Sequence, residues 1–280
     1  MSFSLDDLKK RNSKGIIESS NKSGLASLTK KNNMQLESRI NTLAKKNIKS
    51  AAIEIKKNAA EVIFIIDKSG SCRGLEHSTI TGINDIVKKE RRNCYPTKMT
   101  LILFDEEDSV IYDRQDIKTI YEFSYNAGGG TALYDAICKN LYNIKNKQLS
   151  NSDVDPNKTI VAIMTDGEDN ESKYSLSDAR KCILDCKNIG WKFIFLGALK
   201  NAKDIARELG IDSDMAEVYQ NNNNGILANF ESINRALFDV RSTGHVSKNW
   251  SDKIKNNNLE SINKNKLESG HQKILRLGGK

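Results

Sequence analysis

The chain has 280 residues, of which 38 % are hydrophobic and 29 % are charged, and its formal net charge is +8. That length allows one large domain with flanking segments or two small domains. The sequence has no apolar run long enough to span a bilayer, no apolar stretch of signal-peptide type near its start, and too few cysteines for a disulfide scaffold. We therefore expect a protein of a reducing, cytoplasmic compartment.

Charge is distributed unevenly along the chain. Residues 1–60 contain 13 Lys and Arg against 5 Asp and Glu, residues 61–240 contain 22 against 28, and residues 241–280 contain 9 against 3. The two basic ends are rich in Asn, Lys and Ser and bury too little apolar surface to offset chain entropy. We predict a basic polar arm over residues 1–58 that is partly helical or disordered, a folded domain over 59–242 and a basic polar tail over 243–280.

The middle of the chain alternates between apolar strands and amphipathic helices. Short apolar runs and helical spacing predict, in chain order, strand 62–66, helix 75–91, strands 99–104 and 109–112, helix 132–144, strand 159–165, helix 175–189, strand 191–198, helix 203–209, strand 216–219 and helix 226–240. Continuous apolar runs are typical of strands buried on both faces. The sequence therefore predicts an α/β fold with a doubly wound, mostly parallel sheet flanked by helices.

Three polar loops should meet at one edge of this sheet. The first strand runs into DKSGS with Asp67, Ser69 and Ser71, the fourth runs into Asp166, and a glycine-rich loop ends at Thr131. Ligands of such folds bind outside the carboxyl ends of the strands, and carboxylates and hydroxyls are hard donors suited to Mg²⁺. Taken singly, each loop also has a purely structural interpretation as a turn, a helix cap or an acidic surface loop.

The stretches VIFIIDKSGS, GGGTALYDAI and IVAIMTDGED together resemble the von Willebrand factor A (vWA) domain and its metal-ion-dependent adhesion site (MIDAS). This resemblance covers about residues 60–240 and implies a Rossmann-like vWA fold. It implies that Ser69, Ser71 and Thr131 supply direct hydroxyl ligands to Mg²⁺ or Mn²⁺. It also implies that Asp67 and Asp166 act directly or through bound water, and that an acidic residue of a protein partner fills the last coordination position.

Other stretches refine the resemblance. FIIDKSGS and GWKFIFLGA are similar to intracellular bacterial members of the family, and KSGLASLTKKN and IKSAAIEIKKN resemble arms of members linked to tellurite resistance. One departure is Cys72, where relatives often carry Met after the second serine. The five oxygen positions are intact, so the metal assignment stands.

We expect a metal-dependent protein-binding module and not an enzyme. Residues 61–240 contain a single histidine, and neither a Ser-His-Asp set nor a zinc-type His/Cys cluster is visible in the sequence. Because carboxylates alone can act as bases, a metal-assisted hydrolase is one alternative. The other is a nucleic-acid-associated protein that acts through its basic arms, although no aromatic residues interleave with the basic ones to stack on bases.

Overall fold

The structure, a computed structural model, describes residues 30–51 and 59–277, with side chains up to residue 264. The chain divides into two compact units with a boundary after residue 54. The described part of the first unit is helix α1, residues 30–51, which is exposed along its whole length. Residues 1–29 and 52–58 of the predicted arm lie outside the described ranges, as does most of the sequence similar to tellurite-resistance proteins. The arm and the link to tellurite resistance therefore stay predictions.

The second unit alternates strands and helices as the sequence predicts. Its strands are β1 (Ala60–Asp67), β2 (Thr97–Phe104), β3 (Asp108–Asp116), β4 (Thr159–Thr165), β5 (Lys192–Gly197) and β6 (Ala216–Val218). Its helices are α2 (Glu76–Arg91), α3 (Leu133–Asn151), α4 (Leu176–Asn188), α5 (Ala202–Glu208), α6 (Asn223–Thr243) and α7 (Asp252–Leu277). Every predicted strand and helix is present, with differences mainly at the ends, and α7 is an additional helix.

The six strands form one sheet in the order β3-β2-β1-β4-β5-β6. All neighbouring pairs are parallel except β2 and β3, which are antiparallel. This confirms the predicted α/β, mostly parallel sheet flanked by helices. Strand β1 pairs with β2 on one side and with β4 on the other, so the direction of winding reverses between β1 and β4. Such a reversal opens a crevice at the carboxyl ends of the two strands.

Side chains of the central strand point alternately into two cores. Val62 and Phe64 pack on the face covered by α2 and α6, whereas Ile63 and Ile65 pack on the face covered by α3, α4 and α5. Helices α2 and α6 approach closely at Gly82, where an added Cβ would lie 2.1 Å from a ring carbon of Phe230. Burial on both faces holds β1 rigidly and thereby fixes the loop that follows it.

The amino-terminal end of β1 is held by a buried ion pair. Arg114 Nε and Nη2 donate to the two carboxylate oxygens of Glu61 at 2.8 and 2.9 Å. Gln148 Nε2 also donates to Glu61 Oε2 at 2.7 Å, so every oxygen of this fully buried carboxylate has a partner. The pair fixes the end of β1 that lies opposite the crevice.

The packed core continues beyond residue 242, the end that we predicted for the domain. Trp250 and Ile254 are each 1 % exposed and belong to the core on the α6 face. Trp250 Nε1 donates to the main-chain oxygen of Asp214 at 2.9 Å. The side chains of Trp250 and Ile254 thus pack this segment against the core, although its polar composition predicts a solvated tail. None of the described helices, α7 included, combines the length and the apolar character needed to cross a membrane.

Candidate metal centre

The three polar loops meet at the crevice between β1 and β4. Asp67 is the last residue of β1, and Asp166 directly follows β4. The glycine-rich loop is joined to the β1 loop by main-chain hydrogen bonds, from the Gly70 N–H to Gly129 O at 3.1 Å and from the Gly128 N–H to Lys68 O at 2.8 Å. Gly129 has a φ of +81°, a conformation that favours glycine. The predicted convergence of these loops is therefore present.

Four of the five predicted ligand side chains form one hydrogen-bonded cluster. The main-chain N–H of Ser69 donates to Asp67 Oδ1 at 2.8 Å, which turns the loop back toward the strand end. The Ser69 and Ser71 hydroxyl oxygens lie 3.1 Å apart, and the Ser71 hydroxyl donates to Asp166 Oδ1 at 2.6 Å. The bond between Ser71 and Asp166 thus joins the loop that follows β1 to the end of β4.

Thr131, the fifth predicted ligand, approaches from the glycine-rich loop. Its main-chain N–H donates to Asn170 Oδ1 at 2.9 Å, and its main-chain oxygen accepts from the Asn170 N–H at 2.9 Å. Its hydroxyl oxygen lies 3.5 Å from the position that a Cβ on Gly167 would occupy. The Thr131 hydroxyl therefore lies beside the residue that follows Asp166, although it makes no hydrogen bond to the other four side chains.

The two carboxylates are buried without a cationic partner. Asp67 is 3 % exposed and Asp166 is 7 % exposed. Among the residues that the structure describes, no Lys, Arg or His nitrogen lies within 4.0 Å of either carboxylate, and the neighbouring Lys68 pairs with Asp105 instead. Burial raises the pKa of Asp67, and hydrogen bonds from Ser69 and Thr165 only partly oppose that rise. A cation bound here would supply the missing opposite charge.

The donor set fits a hard divalent cation. Carboxylate and hydroxyl oxygens are the donor types that Mg²⁺ and Mn²⁺ prefer. Ser71 is exposed, whereas Asp67 and Ser69 are buried, so the cluster is closed on its inner side and open toward solvent. An oxygen cluster of this kind leaves room for water or an external ligand on the open side.

Two residues of the site were not predicted from the sequence. The Thr165 hydroxyl donates to Asp67 Oδ2 at 2.7 Å, and Asn221 Nδ2 donates to Asp166 Oδ2 at 2.7 Å. These donors hold the carboxylate oxygens that do not bond to the serine loop. Both residues lie at the carboxyl ends of parallel strands, β4 and β6, so the rule that identified Asp67 and Asp166 also applies to them.

Comparisons with known proteins return structural neighbours only. No protein-family model matches the chain, and no curated protein matches it. Proximal thread matrix protein 1 from the mussel byssus is 14 % identical with a TM-score of 0.46, over 69 % of this chain and 47 % of that chain, and it has also been solved with a zinc-occupied MIDAS motif. The pilus adhesin SpaC from Lactobacillus rhamnosus GG is 14 % identical with a TM-score of 0.49, and the match covers 65 % of this chain and 30 % of that chain. Manganese-loaded TRAP from Plasmodium vivax is 16 % identical with a TM-score of 0.43, and the match covers 61 % of this chain and 72 % of that chain. The chain spans about half the length of the mussel protein.

Proposed function

We propose that this chain contains a vWA-type module that binds a protein partner through a divalent cation, with a carboxylate of the partner completing the coordination. One observation carries the proposal: two buried carboxylates, Asp67 and Asp166, lie in a cluster with the Ser69 and Ser71 hydroxyls, and none of the described residues gives them a cationic partner. The cluster lies where the direction of sheet winding reverses, and its residues match the motif that the sequence resembles.

The residues that would hold the cation are Asp67, Ser69, Ser71, Thr131 and Asp166. A bound Mg²⁺ or Mn²⁺ would supply a positive charge that attracts a carboxylate of the partner. Because three of the five donors are neutral hydroxyls, Asp67 and Asp166 would supply all of the negative charge that the five donors bring to the cation.

Thr165 and Asn221 act as positioning residues. Each donates a hydrogen bond to one oxygen of a buried carboxylate, which fixes the rotation of that carboxylate. Such outer partners orient ligands and preorganise a metal site. The open side of the cluster at Ser71 gives a partner access to it.

A binding role is favoured over a catalytic one. Of the histidines whose side chains the structure describes, His77 and His245 are both exposed, and neither makes a hydrogen bond to the cluster.

The five cysteines are free thiols, in agreement with the reducing, cytoplasmic compartment that we propose. Nucleic-acid binding through the basic arms stays a prediction, since most of the first arm lies outside the described residues.

Thermal unfolding with and without Mg²⁺ tests the site. A cation that binds only the folded protein stabilises it by roughly 2.7 kcal/mol at a hundredfold excess over Kd. Asp166→Ala should lose this gain. Glu168→Ala is the matched control, because it removes an exposed carboxylate from the same loop. Among the described residues, that carboxylate accepts a hydrogen bond from Asn201 alone. An equal Mg²⁺-induced rise in Tm for Asp166→Ala and wild type would refute the assignment.

Partner capture from a lysate of the native cell tests the binding role. A partner should be retained in Mg²⁺, released by chelator, and absent with Asp166→Ala but present with Glu168→Ala. Capture that is the same in Mg²⁺, in chelator and with Asp166→Ala would show that binding does not use the cation.

A further inference from the structure

Cys72 brings a sulfur atom to the proposed metal site. Its Sγ and one carboxylate oxygen each from Asp67 and Asp166 all lie within 4.8 Å of one another, and all three residues are buried. Cys72 is 8 % exposed, and its thiol lies beside two carboxylates for which the described residues provide no cationic partner.

Two hydrogen bonds hold the main chain of Cys72. Cys72 lies in a short 3-10 turn, Gly70–Cys72, that follows Ser69. Its N–H donates to Ser69 O at 3.0 Å, and its main-chain oxygen accepts from the Leu75 N–H at 3.1 Å. These two bonds fix the direction of the Cα–Cβ bond of Cys72 before any ligand arrives, and a fixed main chain contributes to the preorganisation of a metal ligand.

Sulfur changes which cation the site would prefer. Thiolates are soft ligands that bind Zn²⁺ and similar cations, whereas Mg²⁺ takes oxygen ligands almost exclusively. We propose that Cys72 is a metal ligand that, together with Asp67 and Asp166, gives this site a preference for thiophilic divalent cations such as Zn²⁺ and Co²⁺ over Mg²⁺. The thiol proton passes to solvent when the cation binds. This inference rests on the proposed function, because it concerns the same site.

The opposing interpretation is that Cys72 only fills space. A small cavity beside it is lined by apolar side chains including Leu75, Met164 and Ile226, and buried cysteine packs well as a small hydrophobic residue. Under that interpretation, replacement of the thiol would leave the affinity for every metal unchanged. The two interpretations therefore differ in a measurable way.

Co²⁺ is the probe, because a thiolate bound to Co²⁺ gives a charge-transfer absorption in the near ultraviolet that oxygen ligands do not give. The full chain is titrated with Co²⁺, Zn²⁺ and Mn²⁺, as wild type, Cys72→Ser and Cys138→Ser. Cys138 is the matched control, since it is also a buried free cysteine but lies in α3. We expect the absorption in wild type and Cys138→Ser and its loss in Cys72→Ser.

Affinities give the second readout. Loss of an outer-shell partner costs about 10–100-fold in metal affinity, and loss of a direct ligand should cost at least as much. Zn²⁺ affinity should therefore fall at least tenfold in Cys72→Ser, while Mn²⁺ affinity, which rests on oxygen donors, should be retained. Should Cys72→Ser fail to fold, Cys72→Ala replaces it, and the same fall in Zn²⁺ affinity is expected.

The outcomes separate this inference from the proposed function. Co²⁺ bound to wild type without the charge-transfer absorption would overturn the role of Cys72 and leave the metal site standing. Equal Zn²⁺ affinity in wild type and in the Cys72 variant would also overturn it. Wild type that binds none of the three cations would overturn the proposed function and this inference together.

Discussion

Trp250→Ala should strongly destabilise the second unit, because Trp250 is a core residue within a segment of polar composition. Its side chain is 1 % exposed and packs with the core that covers the α6 face of the sheet. Truncation of a buried Trp to Ala costs about 3–5 kcal/mol. The indole N–H bond to Asp214 O, of 2.9 Å, is lost as well, which favours the upper half of that range. Since 1 kcal/mol shifts Tm by about 2–4 °C in a unit of this size, we expect Tm to fall by roughly 6–20 °C.

Urea unfolding followed by circular dichroism measures the free energy directly. Leu259→Ala is the matched control, because it removes a large apolar side chain from the same segment at a position that is 58 % exposed. The control should change the unfolding free energy by no more than about 0.5 kcal/mol. If Trp250→Ala also stays within that limit, the segment does not pack on the sheet, and the domain ends near residue 242 as the composition predicts.

Three further predictions concern other parts of the structure. Arg114→Met leaves the buried Glu61 carboxylate without its charge partner, so the unfolding free energy should fall by about 3–5 kcal/mol, and adding Glu61→Leu should recover most of the loss. Thr165→Val removes the hydroxyl that holds Asp67, so Mg²⁺ should raise Tm less than in wild type; an equal rise would contradict its positioning role. Burial alone would raise the pKa of Asp135, but hydrogen bonds from two main-chain N–H groups and a lysine lower it below its ordinary value of 3.8. Its contribution to stability is therefore present above that value and is lost as pH falls through the lowered pKa, and acid titration of Asp135→Asn should lack this loss.

The central strands could be predicted because they are buried on both faces. In β1 and β4 the buried residues form continuous apolar runs. Asp67 directly follows the run in β1, and Asp166 follows the run in β4 after Thr165. The edge strand β3 gave a weaker signal, because most of its residues are exposed or only half-buried. The sequence therefore predicts only residues 109–112 of a strand that runs from Asp108 to Asp116. Its continuation depends on hydrogen bonds to β2, which hydropathy does not reveal.

Helix α3 and the segment after α6 show a second limit. The predicted helix over residues 132–144 continues to Asn151 through a polar turn, in which the buried Gln148 bonds to Glu61 and accepts from Trp191 Nε1 at 2.8 Å. A polar residue that is buried because it completes a network has no hydrophobic signal. Likewise Trp250 is the only aromatic residue after position 240, so average composition conceals its docking.

Some residues of the candidate site can be predicted from a local motif, whereas the position of another depends on the assembled sheet. Asp67, Ser69 and Ser71 lie within five residues, and the turn that joins them is local, so the sequence suffices to place them together. Asn221 instead stands within four consecutive asparagines after the short edge strand β6. Pairing of Gly197 with Val218 sets the position of β6 beside β5, and the loop that follows brings one asparagine to Asp166 Oδ2. A shift of β6 by one residue would present Gln220 or Asn222 instead, so the identity of the donor is a property of sheet register and not of the local sequence.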